Sequence, residues 1–266
     1  MFHPTNSSGP LLGYLVAGFV MLVAGLAALT VRRRRAPALA SAESTRRALR
    51  YVLVFGLCSA SFGRLIEPAL LGRDHSAWLL ALGDVLFVTL ALFAWVMALA
   101  ETHRLSDLGF RRAPPGRFLL ALGLGLGVVV LYGAGSIRAV LTDRVSVNPD
   151  SLVFALLFAT AGSALPEEML FRGYLMGSLD GRVQRWARVA IPALAFALVR
   201  SARFMPGPDF PVSGWVFYLL GEVLPLGLWW GLMRDLAGGS LWPCLISHAM
   251  LDFFTALASA SPVSAP

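Results

Sequence analysis

The feature that most constrains this chain is its succession of long apolar runs. A helix crossing the hydrocarbon of a bilayer needs about 20 apolar residues, and such runs fall near 11–31, 51–71, 77–100, 118–137, 151–177, 186–205, 214–233 and 240–258. Composition agrees with that reading. With 57% hydrophobic and 14% charged residues and a mean hydropathy of +0.71, too little polar surface remains to clothe a chain of this length in water. The expected fold is an all-α polytopic membrane helical bundle of about eight transmembrane helices. The second and fifth runs are the weakest. One holds Arg64 and Glu67, the other Pro166, Glu167, Glu168 and Arg172, so a seven-span count stays open.

A formal net charge of +7 raises the question of nucleic acid, but the basic residues are all arginine and lie mostly beside apolar runs. That pattern is a topology signal, and no nucleic-acid partner is expected. Arg32 to Arg35, Arg46, Arg47 and Arg50 follow the first run, and Arg104, Arg111, Arg112 and Arg117 follow the third. Continuing the alternation sets Arg182, Arg185, Arg188 and Arg234 on the same side, fifteen arginines against the five at Arg73, Arg138, Arg144, Arg200 and Arg203. The positive-inside rule then predicts both termini outside, and the membrane is expected to be a bacterial inner (plasma) membrane. The first run has arginines after it and none before, so it is expected to be retained as a signal anchor. Cys58 and Cys244 fall inside apolar runs without a metal-binding pattern and read as core filler. Residues 1–150 read as a four-span scaffold, 151–258 as a four-span core that carries the chemistry, and 259–266 as a short tail.

That assignment of chemistry rests on where the buried charges lie. The fifth run contains Leu165-Pro166-Glu167-Glu168-Met169-Leu170-Phe171-Arg172, and each central charge costs about 2.5–3.5 kcal/mol in a membrane helix. Glu168 and Arg172 are four apart and share a helix face, whereas Glu167 lies about 100° around and needs another partner. The last run adds His248 and Asp252, again four apart. Counting about 1.5 Å per residue from the inner ends puts Glu167 and His248 at depths of about 15 and 12 Å, so they can face each other. Glu222, at a similar depth, reads as a lone charge paired with an arginine such as Arg200. Arg64 with Glu67 reads as a scaffold bridge, Asp84 is ambiguous, and His3, His75 and His103 lie outside the runs.

Glu167-Glu168-x-x-x-Arg172, then Phe196-x-x-x-Arg200, then His248-x-x-x-Asp252 resembles the motif series of the CAAX protease and bacteriocin-processing (CPBP) family of intramembrane proteases, which includes the type II CAAX prenyl endopeptidases. The run from Gly227 to Gly239 followed by Ser240-Leu241-Trp242-Pro243 resembles that family's approach to its last motif. The resemblance spans roughly residues 150–258. It implies an endopeptidase in which Glu167 is the general base, His248 and Asp252 surround the scissile carbonyl, and Glu168 and Arg172 hold the base's helix in place. A buried carboxylate base and donors aimed at the oxyanion are what hydrolysis inside a membrane requires. The implied substrate is a membrane-anchored or lipidated peptide or protein met within the lipid bilayer. No cofactor and no metal are expected, since the constellation holds one histidine and a zinc site would need carboxylates for the rest. The departure is at the second motif, where the family has FxxxH and this chain has Arg200. Arginine stays protonated and cannot accept a proton. Two other readings therefore stay open: a catalytically inactive relative acting as a membrane binding or scaffold protein, and a proton-coupled transporter with Glu167, Glu168, Glu222 and Asp252 as relay.

Overall fold

The computed structural model describes residues 39–61, 105–142, 147–202 and 211–260. Every regular element among them is helical. We number these α1 (Ala42–Ser61), α2 (Pro115–Leu141), α3 (Pro149–Leu157, continuing without a break to Met176–Ser178), α4 (Arg185–Ala202), α5 (Val212–Phe217, continuing to Leu224–Leu236) and α6 (Trp242–Ala260). Three are long and apolar enough to cross a membrane: Pro115–Leu141, Ser151–Ser178 and Val212–Leu236. Trp242–Ala258 is a shorter apolar helix. The expected runs at 118–137, 151–177 and 214–233 coincide with those three.

The expectation of about eight spans goes further than this. The runs at 11–31 and 77–100 lie outside the described residues, as do Arg64, Glu67, Asp84, His3, His75 and His103. Of the second run, residues 62–71 lie outside the described residues. Its helix α1 begins at Ala42 and takes in Arg46, Arg47 and Arg50, because an amphipathic first turn can extend a helix past the end of its apolar stretch. Helix α4 carries Arg185, Arg188 and Arg200 within 18 residues, too many charges for an ordinary lipid-facing span.

Proline shapes the two helices that build the site. Helix α3 widens to π-helical turns at Phe158–Ala164, just before Pro166, and again at Glu168–Leu175. Helix α5 does so at Tyr218–Val223, just before Pro225. A proline ring removes one backbone donor and crowds the carbonyl four residues back, and a wide turn relieves that crowding. For Pro225 that carbonyl is Gly221, and the Tyr132 hydroxyl of α2 donates to it at 3.4 Å.

The packing is tightest where glycine permits close approach. At Gly227 of α5 a Cβ would lie 3.1 Å from the Ala193 carbonyl oxygen and 3.2 Å from its Cα, so α4 and α5 cross there nearly backbone to backbone. From that crossing an aromatic series runs through the core: Phe55 against Phe171, Phe171 against Phe196, and Phe196 against Trp230. It ends on the imidazole of His248, which stacks on Trp230 with ring centroids 3.9 Å apart and planes 16° from parallel.

Candidate active site

The polar cluster is assembled from four helices around the end of that aromatic series. Helix α3 supplies Ser163, Glu167, Glu168 and Arg172, α4 supplies Arg200, α6 supplies His248 and Asp252, and α5 lends Trp230 and the carbonyl of Gly227. The six residues singled out in the sequence thus meet in one place.

One half is sealed. Glu168 is 1% exposed and Arg172 0%. Arg172 Nη1 donates to Glu168 Oε1 at 3.0 Å and Nη2 to the Gly227 carbonyl at 3.1 Å. The guanidinium lies over the Phe196 ring, 4.4 Å from its centroid, and 5.4 Å from that of Trp230, a stacked setting that suits its planar, weakly hydrated charge. His248, 0% exposed, directs Nδ1 at the same Glu168 oxygen from 2.8 Å. Glu168 therefore both secures its own helix turn and orients the histidine.

The other half is open. Glu167 keeps 16% of its side chain exposed and Arg200 26%. Arg200 Nη1 donates to Glu167 Oε2 at 2.8 Å and lies 3.0 Å from His248 Nε2, while Nη2 donates to Asp252 Oδ1 at 3.1 Å and reaches Oδ2 at 3.4 Å. A guanidinium can only donate, so Arg200 bonds to His248 Nε2 when that nitrogen carries no hydrogen and the hydrogen is on Nδ1, facing Glu168. His248 Nε2 is also 3.6 Å from Glu167 and 3.3 Å from Asp252. Asp252 Oδ2 accepts from the Ser163 hydroxyl at 2.5 Å.

Three participants were not singled out by sequence. Ser163 stands one helical turn before Glu167, but serine is common in membrane helices and nothing in its spacing points to Asp252. Trp230 carries no motif at all; it clamps His248 by stacking and donates to the Ser247 hydroxyl at 3.3 Å, which in turn donates to the Gly125 carbonyl at 3.0 Å. The Tyr218 phenol lies within hydrogen-bonding reach of Arg200. The expectation that Glu222 pairs with Arg200 is corrected. Arg200 spends its contacts on Glu167, Asp252 and His248, which converge from two helices, and Glu222 feels it only through longer-range electrostatics. Cys244 is buried, as core filler should be, with Sγ donating to the Leu241 carbonyl at 3.0 Å. Among the described residues no group of three or more His, Cys, Asp or Glu is arranged to hold a metal ion.

Paired glutamates, a stacked histidine and a partly open carboxylate thus stand together among apolar helices. Residues 149–254 match the family model described as Rce1-like, type II CAAX prenyl endopeptidase Rce1-like. That match supports a membrane protease of the CPBP kind, and the matched stretch holds every residue of the cluster. Neither a curated protein nor a solved structure matches the chain.

Proposed function

We propose that the protein is an intramembrane endopeptidase that hydrolyses a peptide bond in a membrane-anchored or lipidated substrate, with Glu167 as general base. The observation that carries this reading is the position of Glu167. It is the glutamate of the pair that stays open, while its neighbour is consumed in the sealed half of the cluster. In the reaction, Glu167 takes a proton from a water as its oxygen attacks the scissile carbonyl. The carbonyl oxygen gains charge, and Arg200 swings from Glu167 to donate N–H groups to it. The tetrahedral intermediate then collapses, the C–N bond breaks, and the proton held by Glu167 passes to the leaving amine. His248, fixed by Trp230 and Glu168, lines the water's other side, and Asp252 tethers Arg200 near its working position. This assigns the degenerate motif residue Arg200 a donor's role where the family's histidine would stand. The arginine-rich end of the bundle is proposed to face the cytoplasm of a bacterial inner membrane, with both termini outside.

A second reading has its own support. The donation from Arg200 Nη1 to Glu167 Oε2 at 2.8 Å occupies the lone pair a base would use, which suits an inactive relative that binds membrane peptides. Cleavage of anchored peptides in liposomes separates the two. The protease reading expects turnover by the wild type, lost in Glu167→Gln and indifferent to chelator. Turnover only after Arg200→His would establish the inactive relative. Turnover in none of the variants would end the protease reading.

A further inference from the structure

The end of the bundle remote from the Arg200 cluster gathers arginine far in excess of carboxylate. Arg182 reaches Thr45, Thr45 bonds to the Ser178 carbonyl, and Arg111 bonds across to Gly238, so the starts of α1, α2, α4 and α6 and the finishes of α3 and α5 meet there. Of the four described acids at this end, Glu43 pairs with Arg47, Asp107 stands exposed in the turn before α2, and the other two are already spent. Asp235 accepts from both Arg185 and Arg188, and Asp180 accepts from Arg188.

Among the other arginines, Arg111, Arg117 and Arg234 are each fitted over a glycine at the end of α3 or α5. Arg234 is 7% exposed, and its buried Nε has no hydrogen-bond partner. Its Nη2 lies 3.6 Å from where a Cβ on Gly177 would stand. Arg117 Nη1 lies 3.7 Å from the corresponding position on Gly238, and the Arg111 guanidinium fills the one on Gly239. Both Gly238 and Gly239 have positive φ, 67° and 87°, so the turn itself requires them. Arg111 Nη2 donates to the Gly238 carbonyl at 2.6 Å, and Ser240 Oγ donates to the Arg111 carbonyl at 2.8 Å, which pins the arginine in place. Arg111 and Arg188 both act electrostatically on Arg234, opposed by the already paired Asp180 and the Cys244 thiol.

A buried guanidinium beside other guanidiniums, bonded to no carboxylate among the described residues, is unfavourable unless an anion joins it. The shape of the need is that of a phosphate: several donors on converging arginines around a glycine turn. The level in the membrane indicates the source. Trp242 and Trp186, both exposed, flank this end, and Phe110 packs edge-on to Trp242; amphipathic rings of this kind gather at the headgroup level. We propose that Arg111, Arg117 and Arg234 form a phosphate site over the Gly238–Gly239 turn, filled by the headgroup of an anionic phospholipid. Basic pockets between membrane helices are suited to such headgroups. The site is independent of the protease reading.

The test uses the full chain purified in detergent, with lipid adducts read by native mass spectrometry and thermal unfolding read in parallel. The probes are phosphatidylglycerol, phosphatidylcholine and inorganic phosphate. Phosphatidylglycerol is expected to form the retained adduct and raise the unfolding temperature, and phosphatidylcholine is not. Arg117→Gln, an exposed position whose loss spares the fold, should weaken that binding about fivefold. Arg234→Gln should weaken it further if it folds, and Arg138→Gln on the far end should leave it unchanged. Equal response to the two lipids, or a phosphatidylglycerol response unaltered in Arg117→Gln, overturns the site. Protection by inorganic phosphate equal to that by phosphatidylglycerol overturns the lipid as the source.

Discussion

Glu167 and Glu168 are neighbours in sequence, yet they belong to two differently built regions. Glu168 is sealed: its arginine comes from its own helix four residues on, its histidine from α6, and aromatic rings close over the pair. Glu167 is held by an arginine from another helix, in a pocket that leaves both partners partly exposed. The first arrangement can be disturbed only by breaking the bundle. The second can change partners while the bundle stays intact, because water can solvate whichever group is released. A reactive group and its support can therefore stand side by side on one helix, provided that helix turns each toward a different environment.

Four measurements bear on that contrast, all by reversible unfolding in detergent. Arg172→Met should be the most damaging, by about 3–5 kcal/mol, since it strands the Glu168 carboxylate in the core. Gly227→Ala should cost about 1–3 kcal/mol, because the new methyl must push α4 away from α5 and moves the carbonyl that Arg172 uses. Trp230→Phe keeps a ring against His248 but loses the donation to Ser247, for about 1 kcal/mol. Glu167→Gln should cost less than about 1 kcal/mol, as befits a partly exposed ion pair, while removing any hydrolysis. If Glu167→Gln destabilises as much as Arg172→Met, the division into sealed and open halves is wrong. If Trp230→Phe impairs turnover far more than stability, the ring's hold on His248 belongs to the chemistry as well as to the core.

Much of the cluster was legible because helical spacing is a local rule. Glu168 with Arg172, and His248 with Asp252, are each four apart, and simple depth counting brings the two pairs level. What that rule cannot supply is the choice of partners between helices. Nothing in the spacing of Arg200 distinguishes Glu167 from Glu222 as its acceptor, and the geometry decides for Glu167 together with Asp252. Ser163 and Trp230 were missed for the same reason, since each acts on a residue of another helix. The three candidate spans were legible as apolar runs, although the one at 151–177 is interrupted by Glu167, Glu168 and Arg172. Helix α4 was read as a span from its apolar residues, although three arginines share it; a charge facing protein is not distinguishable by composition from one facing lipid.

The wide turns of α3 carry a further consequence, for how the gene can change. A π turn holds one residue more than the α-helix would place in the same length, so the stretch Phe158–Ala164 sets the rotational phase of everything after it. Removing a single residue there lets the wide turn close to ordinary α-helix of the same length, so the segment that follows keeps its phase. Adding one more residue finds no such slack and would turn that segment by about 100°, carrying the Glu167 carboxylate off the cluster. The loss of one codon along this stretch is thus tolerable where the gain of one is not.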